Sequence, residues 1–194
     1  MSCNITNNNP TILSFSPTPV NPTDPERLKA IKKSFNGVFS VYGEIGGMCA
    51  QWTYNLALNY CRALKNSTAI PGKKLAAGGN ANWNKNYWTN LVKLGYTQKK
   101  VGTNITTNQC DSILSTTVWG YGDVVIYYAT EGNPEASHVK YGHTQIYVGN
   151  LTKIFWASSR KENYFASMVY RSKPSNKWDF LILRAPEDSS QVKL

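Results

Sequence analysis

Two residues capable of nucleophilic and base chemistry stand where that chemistry works. Cys49 follows Gly46 and Gly47 and opens a stretch, Cys49 to Leu64, free of Gly and Pro. Within it Trp52, Leu56, Tyr60 and Ala63 keep helical spacing, and Arg62 and Lys65 close the end where cations suit the helix dipole. The pattern predicts Cys49 at a helix N-terminus, where the dipole and unpaired backbone N–H groups favour a thiolate. The same N–H groups can hold an oxyanion. His143 opens a predicted strand, His143 to Val148. An imidazole on a separate element can serve as the base if the fold brings it within hydrogen-bond reach. Thiolate attack on an amide carbonyl, with His143 protonating the leaving amine, is the reaction such a pair supports. Residue types alone leave a plainer alternative: a cysteine in a helix is commonly a small core residue, and a lone histidine is commonly structural.

The remaining candidates carry less chemistry. Cys3, Cys61 and Cys110 are widely spaced, with no CxxC pair, and the only histidines are His138 and His143. No metal site and no cofactor are expected from that supply. Along one helix Cys49 and Cys61 stand roughly 18 Å apart, too far for a disulfide. A reduced compartment fits a chain long enough to build a core without cross-links. Asp123 follows Gly120 and Gly122 and reads as a turn cap. Glu44 precedes the glycine loop, and Gln51 and Tyr42 lie near enough in sequence to assist an oxyanion site. Trp83, Tyr87 and Trp88 either line a groove or pack on the helix.

The elements that must position these residues are legible in outline. Residues 1–24, with Pro10, Pro17, Pro19 and Pro22, read as an extended arm. Residues 25–194 form one expected catalytic domain. Asp24 as cap, Pro25 at the first turn and Gly37 past the end predict a first helix. Its Leu28, Ile31 and Phe35 face the core, while Lys29, Lys32 and Lys33 are solvated. A short helix is expected within 82–93. From residue 95 the pattern turns to strands: Val124–Tyr128, His143–Val148 with a turn at Gly149-Asn150, Lys153–Trp156 and Trp178–Leu183. Helices first and a strand meander after them is an α+β order.

Composition bounds the partners. The chain has 194 residues, and 41% of them are hydrophobic, which supplies a single core and excludes a disordered chain. Lys and Arg number 21 against 11 Asp and Glu, a formal charge of +10. That balance implies a polyanion: nucleic acid, an anionic membrane surface or an acidic wall polymer. The basic residues are scattered and form no nucleic-acid motif, so nucleic acid is not expected. No apolar run reaches transmembrane length, so no integral membrane association is expected. The first residues lack a signal-peptide pattern, so ordinary secretion is not expected either.

Four segments, in order, add a family resemblance. Gly47-Met48-Cys49-Ala50-Gln51-Trp52 resembles the nucleophile helix of CHAP-type cell-wall amidases, and Gly79-Asn80-Ala81 is similar to the G-N-A segment that follows it. Gly122-Asp123-Val124-Val125 resembles their G-D-V-V strand. Gly142-His143-Thr144-Gln145-Ile146-Tyr147-Val148-Gly149 resembles the strand that supplies the histidine in CHAP and NlpC-type enzymes. Cys49-Ala50 with Asn55-Leu56-Ala57-Leu58-Asn59 is also similar to the peptidoglycan amidase effectors of type VI secretion systems. The resemblance covers about residues 43–160. It implies a papain-like fold with N-terminal helices packed on an antiparallel sheet, Cys49 as nucleophile and His143 as base. It implies a peptidoglycan amide bond as substrate.

One departure stands at the third catalytic position. Ile154-Phe155-Trp156-Ala157-Ser158-Ser159 carries Trp156 where NlpC-type enzymes carry His, and an indole cannot accept a hydrogen bond from an imidazolium in the usual way. Ser158 is the expected orienting group, with a backbone carbonyl or a water as the alternatives. The resemblance further implies a monomer made in the bacterial cytoplasm and acting in the target periplasm or wall. Delivery would be as an antibacterial effector with an acidic immunity protein, or as a phage lysin released through a holin. A catalytically degenerate module binding wall or partner is the alternative function.

Overall fold

In the computed structural model, the described residues are 20–42, 49–66, 85–131, 143–150, 153–155 and 177–194. The first helix, α1 (Glu26–Tyr42), starts with Lys29 N donating to the Pro25 carbonyl at 2.9 Å. Asp24 does not cap it. Its carboxylate accepts from the Asn21 N–H at 3.0 Å and from Lys32 Nζ at 2.7 Å, which closes a turn just before the helix. The last residues of the expected arm are therefore hydrogen-bonded. Lys32 is buried, contrary to the solvated position expected of it, because the carboxylate two turns back receives its ammonium. Gly37 does not end α1. A glycine inside a helix costs about 1 kcal/mol, and packing of α1 against the next helix outweighs that.

That next helix, α2 (Cys49–Leu64), has the predicted bounds. It is buried almost all round: Leu56, Ala57, Leu58, Tyr60 and Cys61 are covered, and so are Thr53, Asn55 and Asn59. A helix covered on every side lies between layers rather than on a surface. The Ser34 hydroxyl donates to the Leu56 carbonyl at 2.6 Å and pins α1 to α2. Helix α3 (Lys85–Lys93) follows, then strand β1 (Thr97–Thr106).

A fourth helix, α4 (Thr107–Thr116), interrupts the expected run of strands. Its start is a capping box: the Thr106 hydroxyl accepts from Gln109 N at 3.2 Å, and Gln109 Oε1 accepts from Thr106 N at 2.8 Å. The remaining strands are β2 (Val124–Glu131), β3 (His143–Asn150), β4 (Lys153–Phe155) and β5 (Lys177–Arg184). Strand β3 includes Gly149 and Asn150, where a turn was expected, and Asn150 pairs with Lys153.

The sheet is antiparallel at every pairing, in the order β1-β5-β2-β3-β4. It is no meander, since the last strand inserts between β1 and β2. The continuous apolar run Phe180-Leu181-Ile182-Leu183 belongs in such a place, because a central strand is buried on both faces. Leu181, Leu183, Val124, Ile126 and Ile146 meet α1, α2 and α3 in one core. Phe180, Ile182, Val125, Tyr127, Tyr147 and Trp178 meet Cys110 and Ile113 of α4 in a second core on the opposite face. The architecture is α+β, with helices on both faces of one antiparallel sheet.

Candidate functional site

Cys49 is the first residue of α2, and His143 is the first residue of β3. The two elements pack against one another. Gly122 links Tyr60 of α2 to Tyr147 of β3. The Tyr60 ring lies against Gly122, whose φ of +85° and lack of a side chain permit the approach. The Tyr60 hydroxyl donates to the Pro186 carbonyl at 2.6 Å. Gly122 N in turn donates to the Tyr147 carbonyl at 3.0 Å. From this link, α2 leads back to Cys49 over about 16 Å at the helical rise. Strand β3 leads back from Tyr147 to His143 over about 13 Å at the strand rise. The two stretches are of similar length.

The register of β3 adds a constraint. His143 pairs with Tyr127, Thr144 with Ile126, and Ile146 with Val124. Ile126 and Ile146 belong to the helical face, whereas Tyr127 and Tyr147 belong to the opposite face. By alternation the backbone position of His143 is that of the opposite face, at the strand's first residue.

The other described cysteines are poor nucleophiles. Cys61 is fully buried beside the Leu94 carbonyl, and burial pushes its thiol up to about 12. Such a thiol stays protonated at neutral pH. Cys110 is fully buried in the second core. Thr53, one turn after Cys49, buries a hydroxyl that has no hydrogen-bond partner among the described residues. The sequence reading passed over it, since a threonine inside a helical stretch carries no signal of burial.

Ser158 lies outside the described residues, as do Cys3, Glu44, Trp83, His138 and Trp156. Tyr42 closes α1, Gln51 lies in the first turn of α2, and Tyr87 lies in α3. Trp88 is half-buried against the main core, in the packing role. Among the described residues no three His, Cys, Asp or Glu side chains gather as a metal site needs. No described helix is long and apolar enough to cross a membrane.

Asp123 does more than cap its turn. It accepts from Gly120 N at 2.8 Å, as the turn requires, and from Ala185 N at 3.0 Å. It is fully buried and pairs with Arg27 at 3.0 Å and with Arg184. Arg27 also donates from Nε and Nη2 to the Tyr121 carbonyl at 3.1 and 2.7 Å, and Arg184 donates to the Val118 carbonyl. A buried carboxylate with two guanidinium partners and two backbone donors is a structural knot that joins α1, the β2 turn and the end of β5. Neither arginine carried a sequence signal, because Arg27 and Arg184 lie 96 and 61 positions from Asp123.

No family model matches the chain, and neither does any curated protein or solved structure.

Proposed function

We propose that this chain is a papain-like cysteine hydrolase that cleaves an amide bond of peptidoglycan. The observation that carries the reading is that Cys49 is the first residue of α2 and His143 the first residue of β3, the strand on which α2 packs. Cys61, buried and protonated, offers no rival nucleophile. The motif order in the sequence and the charge of +10 support an anionic wall as substrate.

In this reading the Cys49 thiolate adds to the amide carbonyl, and backbone N–H groups at the start of α2 hold the oxyanion. The adduct collapses as His143 gives a proton to the departing amine, which leaves a thioester on Cys49. Water then loses a proton to His143 and attacks the thioester, releasing a carboxylic acid and restoring the thiolate. Since the register of His143 is that of the opposite face, the pair would meet around the rim of the sheet. Ser158 would orient the imidazole. The protein would act as a monomer in the periplasm or wall, as an effector countered by an acidic immunity protein or as a lysin.

The test is mass spectrometry of muropeptides from purified sacculi treated with the wild type, Cys49→Ala and His143→Ala. The expected result is a defined amide cleavage by the wild type and none by either variant, with thermal midpoints unchanged. Equal activity of Cys49→Ala would sink the thiol mechanism. Binding of sacculi without any product would leave the degenerate binding module.

A further inference from the structure

Four cations gather at one place that the hydrolase reading does not use. A cleft of about 670 Å³ lies at the end of the sheet where β1 begins and β5 ends. Arg27, Lys99, Arg184 and Lys193 line it, with Trp119 and the exposed Glu187. The four cations come from four separate parts of the chain: α1, β1, β5 and the C-terminal segment. They face two carboxylates, of which Asp123 is buried beneath the arginines and Glu187 is largely exposed.

Asp123 and the Tyr121 and Val118 carbonyls hold the two guanidinium groups in place before any ligand arrives. Donors remain after those bonds are made. The carboxylate oxygen beside Arg27 Nη1 is Glu187 Oε1, at 4.0 Å, beyond hydrogen-bond reach, and the Tyr60 hydroxyl also stands by this guanidinium. Lys99 and Lys193 are exposed, and their ammonium groups have no hydrogen-bond or ion-pair partner among the described residues. A side chain on Gly120 would occupy the place of the Arg27 guanidinium, so the cleft also depends on that glycine.

We infer that this cleft binds a phosphate-bearing ligand. Cations that converge from several directions suit a tetrahedral oxyanion, whose oxygens point in as many directions. A planar carboxylate is satisfied by one guanidinium edge and leaves the other cations unpaired. The volume suits a small molecule or one segment of a polymer. Trp119 at the margin, packed on Tyr147 at 6.0 Å between ring centroids, gives a rigid apolar wall.

The cleft is separate from the candidate catalytic pair. Arg184 is four residues along β5 from Phe180, whose neighbour Tyr127 pairs with His143. That is about 13 Å along the strands and about 10 Å across them. The inference therefore stands or falls independently of the hydrolase reading.

The test is calorimetric titration of the full chain with inorganic pyrophosphate at low ionic strength, beside citrate as the carboxylate control. Pyrophosphate is expected to bind more tightly than citrate and to weaken as salt rises. Lys99→Ala with Lys193→Ala should lose about tenfold or more in affinity with an unchanged thermal midpoint, a loss near 1.4 kcal/mol. Lys99→Glu is a second exposed variant with the same expected direction, and Cys49→Ala should bind as the wild type does. The inference is overturned if pyrophosphate fails to bind up to about 10 mM, where even weak sites register. It is equally overturned if the lysine variants bind as tightly as the wild type, or if citrate matches pyrophosphate.

Discussion

The two ends of the sheet are built on opposite principles. At the end where β5 finishes, one buried carboxylate gathers Arg27, Arg184, Gly120 N and Ala185 N, and the Tyr60 hydroxyl closes on the Pro186 carbonyl. These buried polar groups hold elements together. At the other end β3 begins with His143, and Cys49 opens α2, the helix that packs on β3. Residues that begin elements keep backbone groups for other partners, which is what a reacting centre requires. The difference teaches that one end of this sheet is knotted by buried ion pairs, whereas the proposed chemistry is assigned to the other.

The comparison can be broken most forcefully at the end proposed for chemistry. Cys49→Ala should lower hydrolysis of sacculi by orders of magnitude, as removal of a nucleophile does, while denaturant unfolding stays unchanged. A large loss of stability would instead make Cys49 a core residue and erase the contrast.

At the structural end the effect belongs to folding. Asp123→Ala leaves two arginines without their buried partner and should cost about 3–5 kcal/mol in urea unfolding, the range for breaking a buried ion pair. A loss of only a few tenths would mean that the knot is dispensable.

Alkaline titration sharpens the same contrast. The Cys61 thiol is pushed from 9.0 up to about 12 by burial, and burial also raises Tyr60 and Tyr96. A group raised in the folded state contributes stability that is whole below its unfolded value. That stability is lost as pH climbs toward the folded value. The melting temperature should therefore fall progressively from about pH 9 toward pH 12. Native Cys61 should meanwhile resist alkylation at pH 8, and rapid labelling of it there would contradict the burial.

The smallest effect lies away from both ends. Thr106→Ala removes one half of the capping box of α4 and should cost about 1 kcal/mol in thermal unfolding.

Local signals in the chain were sound where one element sufficed. The bounds of α2 followed from a stretch without Gly or Pro, closed by Arg62 and Lys65, and the strands around 124, 143 and 178 followed from apolar runs. Helix α4 was legible too, since Thr106 and Gln109 stand at capping-box spacing, but the polar residues between strands masked it. Gly37 misled because a glycine stops an isolated helix and does not stop one packed along another. Lys32 misled because its partner Asp24 lies before the helix rather than on it.

What the sequence determined by itself was therefore local: which stretches are helix or strand, that Cys49 opens a helix, and that His143 opens a strand. Periodicity and capping act over a few residues, so they are written in a few residues. Tertiary structure alone decided that the last strand enters the centre of the sheet, and that Asp123 is held by arginines from opposite ends of the chain. It alone gathered four dispersed cations around one cleft. The reason is physical. Each of these depends on contacts between residues far apart in sequence, and the free energy that selects them exists only once the sheet and its two cores have formed.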